Sequence, residues 1–195
     1  MKFRGDETHP VIFRNLGLEN GMPKFQEVAL AVNDFPTAED VQMESVGPFF
    51  EKMEREHMIV YTAPGPSCDY DRDGRLDLFL ANWWVNQRSL LLKNESQAGN
   101  WLQVAVEGGE GVNRNGIGAV VRVYPAGRIG ESGALWCSRE IAVGYGYASG
   151  QEALAHIGLA DLDECDVEVI LPHGGGRVEQ RGVKANQRIT ISKLN

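Results

Sequence analysis

The segment Asp69-Tyr-Asp-Arg-Asp-Gly-Arg-Leu-Asp-Leu-Phe-Leu80 joins an acidic loop to an apolar run. Its four aspartates occupy loop positions 1, 3, 5 and 9, around Gly74 at position 6. A glycine there permits the sharp backbone turn that lets such carboxylates converge on one point. The residues that follow are mostly apolar, which is typical of a strand buried on both faces. The segment therefore predicts a metal-binding loop that leads directly into a strand.

Calcium is the metal that this spacing favours, because calcium takes roughly six to eight oxygen ligands and magnesium accepts fewer from protein. The predicted ligands are the carboxylates of Asp69, Asp71, Asp73 and Asp77 and the main-chain carbonyl of Arg75. The loop is not an EF-hand, since position 12 is Leu80 and not a bidentate glutamate. The alternative interpretation is an acidic surface turn, in which Asp and Gly serve only turn chemistry.

The N-terminal half resembles FG-GAP repeats, the blades of integrin-like β-propellers that often carry such a calcium loop. Similar elements occur in residues 11–28 and again in residues 88–95. The resemblance implies partial β-propeller-type blades. A closed propeller needs at least about four blades, and fewer than two are visible. So few blades would leave sheet edges unpaired, which leaves three alternatives open. The chain is part of a longer protein, its edge strands pair with each other, or it self-associates through open sheet edges.

The C-terminal half contains four glycine-rich motifs in a fixed order, at residues 113–119, 144–151, 155–160 and 171–177. Together they resemble the ASPIC/UnbV domain of the cartilage acidic protein-like family, over residues 100–195. Three residues depart from the family pattern: Ile157 stands in place of Phe, Ala160 in place of Gly and Leu171 in place of Trp. Because two aromatic residues are replaced, no ligand contact that the family makes through them is assigned to this chain. The resemblance implies an extracellular or periplasmic location and no defined reaction.

The whole chain has an all-β rhythm, with short apolar runs between Gly, Pro and Asn breaks. The predicted domains are an FG-GAP-like repeat region at 1–97, with its calcium loop at 69–77, and a small β-rich, sandwich-like domain at 98–195. Twelve strands are predicted, at 10–14, 24–30, 57–63, 76–83, 88–93, 100–107, 117–124, 135–143, 152–158, 165–171, 177–183 and 187–193. Residues 36–57 break the pattern and favour a helical turn beginning at Pro48.

Composition excludes several classes of function. The net charge is −8, and no basic patch interleaved with aromatics is present, which argues against nucleic acid as a partner. No apolar run approaches the roughly 20 residues of a membrane helix, and no signal peptide is visible at the N-terminus. The three cysteines lack CxxC spacing, which argues against zinc, and they allow at most one disulfide.

No catalytic residue and no organic cofactor are predicted. Ser149 lacks the GxSxG elbow, His156 suits a hydrogen-bonded strand position, and His173 suits an exposed turn. The acidic cluster at 161–166 is interpreted as a solvated loop. The expected function is a calcium-binding, non-catalytic adhesion or protein/carbohydrate-binding module of a larger extracellular protein. The alternative is an enzyme or enzyme accessory that acts on carbohydrate or a secondary metabolite at an interdomain cleft.

Overall fold

The structure is a computed structural model that describes residues 2–3, 6–7, 12–28, 48, 66–81, 89–146 and 149–193. The described residues form short strands and one 3₁₀ turn, Pro172–Gly174, so the all-β prediction is confirmed. The strands are β1 (Lys2–Phe3), β2 (Asp6–Glu7), β3 (Ile12–Glu19), β4 (Met22–Val28), β5 (Ser67–Cys68), β6 (Asp77–Leu80), β7 (Leu90–Leu92), β8 (Asn100–Glu107), β9 (Val120–Pro125), β10 (Cys137–Glu140), β11 (Ala155–Ala160), β12 (Glu164–Ile170), β13 (Arg177–Lys184) and β14 (Gln187–Ser192).

The C-terminal strands form two sheets. One has three strands in the order β11-β8-β14, with β8 antiparallel to β11 and parallel to β14. The other has four strands in the order β10-β9-β12-β13, all antiparallel. Alternate residues of β8 and β9, such as Leu102, Val104, Val121 and Val123, are apolar and fully buried, as strands with one face on a core require. Each sheet therefore has an apolar face that must be covered.

A single hydrophobic core joins these two sheets. Alternate side chains from both point into it, and its fully buried members include Leu102, Val104, Val121, Val123, Val167 and Val169. Burying one such side chain contributes about 1.5–3 kcal/mol. The two sheets therefore pack through one shared core, in line with the predicted sandwich-like domain.

The remaining described strands form smaller sheets. β1 pairs with β2, β3 with β4, and β5-β6-β7 form a three-stranded sheet that carries the acidic loop. No sheet closes on itself among the described residues, and the propeller-type arrangement stays a prediction. The predicted strand at 57–63 lies outside the described residues, as does the predicted helical turn apart from Pro48, which is helical.

Two compact units follow from the contacts within the chain. One contains residues 1–63 and 80–90, and the other contains residues 64–79 and 91–195. This division differs from the predicted boundary between residues 97 and 98, because the acidic loop lies in the same unit as the C-terminal sheets. No described helix is long and apolar enough to cross a bilayer.

The predicted solvated loop at 161–166 is wrong from Glu164 onward, because β12 begins at that residue. Asp166 lies in β12 and is 1% exposed. Its carboxylate accepts hydrogen bonds from the backbone N–H groups of Gly127 and Gly182, both at 3.0 Å. A buried carboxylate is stable when such donors satisfy it. Asp166 therefore holds the turn after β9 and the neighbouring strand β13, and it is not a solvated charge.

Candidate functional site

The acidic loop, residues 69–77, connects β5 to β6. These strands pair antiparallel with Cys68 opposite Asp77, so their pairing brings the two ends of the loop together. Within the loop, Gly74 has φ +88° and Arg72 has φ +61°, both in the left-handed region. The backbone therefore curls as the glycine at position 6 predicts.

Three of the four predicted carboxylates converge. Asp69, Asp71 and Asp77 each place one oxygen atom within 4.8 Å of the others. Asp77 is fully buried, Asp69 is half-buried and Asp71 is exposed, so the group extends from the interior to the surface. Three oxygens at this separation can serve as part of a cation site of the kind that calcium prefers.

Asp73 and Arg75 have a different arrangement. The carboxylate of Asp73 contacts the Arg75 guanidinium and accepts a 2.9 Å hydrogen bond from the Arg75 backbone N–H. Lys93 Nζ lies 2.6 Å from Asp71 Oδ2 and 3.9 Å from Asp73 Oδ2. The hydrogen bond from Lys93 lowers the pKa of Asp71 and raises the pKa of Lys93. Two basic side chains therefore offset part of the negative charge of the loop.

Hydrogen bonds from the backbone also satisfy the carboxylates. Asp69 accepts from the N–H groups of Asp73 at 2.9 Å and Gly74 at 3.0 Å. Asp77 accepts from Tyr70 at 3.2 Å and from Asn94 at 2.8 Å. These bonds are the turn chemistry that the alternative interpretation of the loop requires.

The loop is fastened to the C-terminal sheet by a closed ring of hydrogen bonds. Gln103 of β8 and His156 of β11 are direct cross-strand partners. Gln103 Nε2 donates to Asp69 Oδ2 at 2.9 Å and lies 3.2 Å from His156 Nδ1. His156 Nε2 lies 3.1 Å from the carbonyl oxygen of Gly74, whose own N–H donates to Asp69. Both ring contacts are satisfied when Nε2 carries the proton.

The charge state of His156 agrees with this pattern. Burial lowers its pKa below the ordinary value of 6.5, and the positive charge of Arg139 acts in the same direction. The hydrogen bond to Gly74 and the charge of Asp69 act in the opposite direction. The prediction of a hydrogen-bonded strand histidine is confirmed, and so is the exposed position of His173.

Trp101 completes the contact between the loop and β8. Its ring stacks on His156, with centroids 6.1 Å apart and an interplanar angle of 9°. A Cβ atom added to Gly74 would lie 2.0 Å from Trp101 Cδ1, so no larger residue fits there. The acidic loop covers the side of β8 that carries Trp101 and Gln103. The only sequence signal for this contact is that a tryptophan and a glutamine lie two residues apart on the same face of the strand.

A cleft of about 620 Å³ lies beside the acidic loop, within the same compact unit. Cys68, Asp69, Arg72 and Leu76 line it from the loop side. Its other lining residues include Gln103, Arg139, Glu140, Tyr145, Ser149, Gly150, Gln151, Glu152, Leu154, His156 and Arg188.

The cleft contains two potential nucleophiles, Ser149 and Cys68, and one potential base, His156. Both ring nitrogens of His156 are engaged by Gln103 and Gly74, so the ring has no free nitrogen to act as a base on Ser149. Burial and the charge of Asp77 raise the pKa of the Cys68 thiol, which disfavours the reactive thiolate. All three cysteines are free, and burial raises the pKa of Cys165 to about 11.

Comparison with known proteins bears on the C-terminal part of the chain. Residues 109–195 match the model of the family described as ASPIC and UnbV. No curated protein and no solved structure matches the chain. The matched residues contain β9 to β14, whereas β8 and the acidic loop precede them. The comparisons show no FG-GAP repeat, and they support an ASPIC/UnbV domain at residues 109–195.

Proposed function

We propose that the acidic loop binds calcium and that the chain is a non-catalytic module for adhesion or for binding protein or carbohydrate. The observation that supports this proposal is the convergence of Asp69, Asp71 and Asp77. Asp73 and the Arg75 carbonyl complete the proposed ligand set by their loop positions. The proposed location, in a larger extracellular or periplasmic protein, rests on the family resemblance alone.

Calcium has a structural role in this proposal. Carboxylates only a few ångströms apart repel one another, and a divalent cation between them replaces that repulsion with attraction. A cation also competes with Lys93 for Asp71 and with Arg75 for Asp73. Asp69 is hydrogen-bonded to Gln103 of β8. A cation that fixes the loop therefore also stabilises the contact between the loop and β8. Calcium that binds only the folded chain stabilises it by mass action.

The chemistry of the cleft favours a binding role over the alternative enzyme. Sugar hydrolysis needs one carboxyl group that donates a proton and a second that acts as base or nucleophile. Asp69 accepts hydrogen bonds from three donors, and Glu152 is paired with Arg188. Glu140 also lines the cleft and has no described partner, but the mechanism needs a second free carboxyl group, and Asp69 and Glu152 are both engaged.

Calorimetric titration of metal-stripped protein tests the proposal. We expect saturable binding of calcium, weakened at least about tenfold in Asp71→Asn, because a neutral amide replaces a charged ligand. Asp71 is exposed, and the isosteric amide keeps one acceptor oxygen for the contacts with Lys93 and Asp73 while it removes the charge. Asp161→Asn, at an exposed aspartate outside the loop, is the matched control. Absence of binding, or equal affinity in Asp71→Asn and the parent, would contradict the proposal.

A further inference from the structure

The cleft beside the acidic loop has the size and lining of a small-molecule site. Its volume of about 620 Å³ falls in the range of roughly 300–1,000 Å³ that is usual for ligand pockets. Its wall combines apolar side chains such as Leu76 and Leu154 with charged groups, and Tyr145 is 55% exposed. Such a wall can contact both the ring and the polar substituents of a ligand.

Two arginines in this wall have no protein partner among the residues that the structure describes. Arg188 is paired with Glu152, and Arg75, close by in the loop, is paired with Asp73. In contrast, Arg72 and Arg139 form neither a hydrogen bond nor an ion pair in the described part of the chain. Arg139 belongs to β10, and its charge acts on His156 of β11. Arg72 belongs to the acidic loop, which also lines the cleft.

We propose that this cleft binds a small hydroxylated carboxylate, of the chemical class of the uronic acids. Guanidinium groups match the planar geometry of a carboxylate and bind it with two parallel hydrogen bonds. Arg72 and Arg139 hold the ligand carboxylate in this assignment. Glu140 accepts hydrogen bonds from sugar hydroxyl groups, and the exposed ring of Tyr145 offers an apolar face to the sugar ring.

The charges of the cleft favour a sugar acid over an inorganic dianion. Asp69, Glu140 and Glu152 line the cleft together with its three arginines. These carboxylates repel a doubly charged phosphate more strongly than a singly charged ligand carboxylate. Glu140 has no hydrogen-bond or ion-pair partner among the described residues, and a sugar hydroxyl supplies it with a donor. The assignment concerns residues of the wall and does not require that the loop binds calcium.

Titration of the full chain with glucuronate, followed by NMR chemical shifts, tests the assignment. Glucose and inorganic phosphate serve as comparison ligands, because glucose lacks the carboxylate and phosphate lacks the ring. The variants are Arg72→Gln and Arg139→Gln, both at exposed positions. Arg128→Gln is the matched control, since Arg128 is also exposed but lies in the turn after β9, paired with Glu131. The titration is run once with calcium and once with chelator, and unfolding curves verify that each variant is folded.

The expected result is saturable glucuronate binding that weakens at least about tenfold in Arg72→Gln and in Arg139→Gln, and stays unchanged in Arg128→Gln. This pattern in either calcium or chelator supports the assignment, whatever the outcome of the calcium titration. Absence of glucuronate binding in both conditions overturns it. Equal binding of glucose, tighter binding of phosphate, or unchanged affinity in both cleft variants overturns it as well.

Discussion

Gly74 meets two structural requirements that together exclude any residue with a side chain. The loop needs a left-handed conformation at this position, and the ring of Trp101 leaves no space for a Cβ atom. The sequence indicated the first requirement, since glycine at position 6 of an acidic loop permits the turn. The second requirement depends on a strand that begins 26 positions later in the chain, at Asn100. The residue pattern of the loop alone does not contain that information.

Substitution Gly74→Ala tests this double role. We expect a loss of about 2–4 kcal/mol in the free energy of unfolding, from backbone strain and from the collision with Trp101. Gly111→Ala is the matched control, because Gly111 has φ +78° and nothing within 4 Å of its added Cβ. Backbone strain alone predicts about 1–2 kcal/mol there. Urea unfolding measures both values, and equal losses in the two variants would show that Trp101 does not restrict the site.

The element that positions the loop is the pair of strands β8 and β11. Strand β8 occupies residues 100–107, as its alternating pattern predicted, and the predicted strand at 187–193 corresponds to β14. The pairing of β8 with β11 and the contact of both strands with the acidic loop were not predicted. Gln103 lies 34 positions from Asp69, and His156 lies 82 positions from Gly74. Periodicity reports which face of a strand is apolar, but it does not report what covers the polar face.

The hydrogen bonds between these elements make stability depend on pH. His156 has a lowered pKa in the folded chain, so below its ordinary value of 6.5 the unfolded chain binds the proton first. Its contribution to stability is therefore complete above pH 6.5 and falls as the pH falls below that value. A protonated Nδ1 also cannot accept the hydrogen bond from Gln103. Asp69 and Arg139 are the charged groups that act on the ring, in opposite directions.

The measurement is the free energy of unfolding at pH 7.5 and at pH 5, for the parent chain and two variants. We expect the loss of stability at pH 5 to be smaller in His156→Gln than in the parent. His173→Gln, at an exposed position in the 3₁₀ turn, should lose as much as the parent. An unchanged loss in His156→Gln would mean that this histidine does not link protonation to folding.

At the scale of the whole molecule, the acidic loop belongs with the C-terminal sheets. The predicted boundary at 97 and 98 followed a local rise in polarity, whereas the loop is held to β8 and β11 by long-range contacts. The matched family residues begin at 109, so the loop and β8 extend this unit in the N-terminal direction. Asp166 was also predicted to be solvated, because polarity along the chain does not reveal the donors that the turn after β9 and strand β13 supply.

Thermal unfolding of the full chain, with calcium and with chelator, tests the central claim most directly. Calcium at about 100 times its dissociation constant stabilises a folded site by about 2.7 kcal/mol, which corresponds to a rise of about 5–10 °C in Tm for a chain of this size. We predict such a rise for the parent and for Asp161→Asn, and at the same calcium concentration about half of it or less for Asp71→Asn, whose affinity is at least about tenfold weaker. The same Tm with calcium and with chelator in the parent chain would contradict the account and identify the loop as an acidic turn.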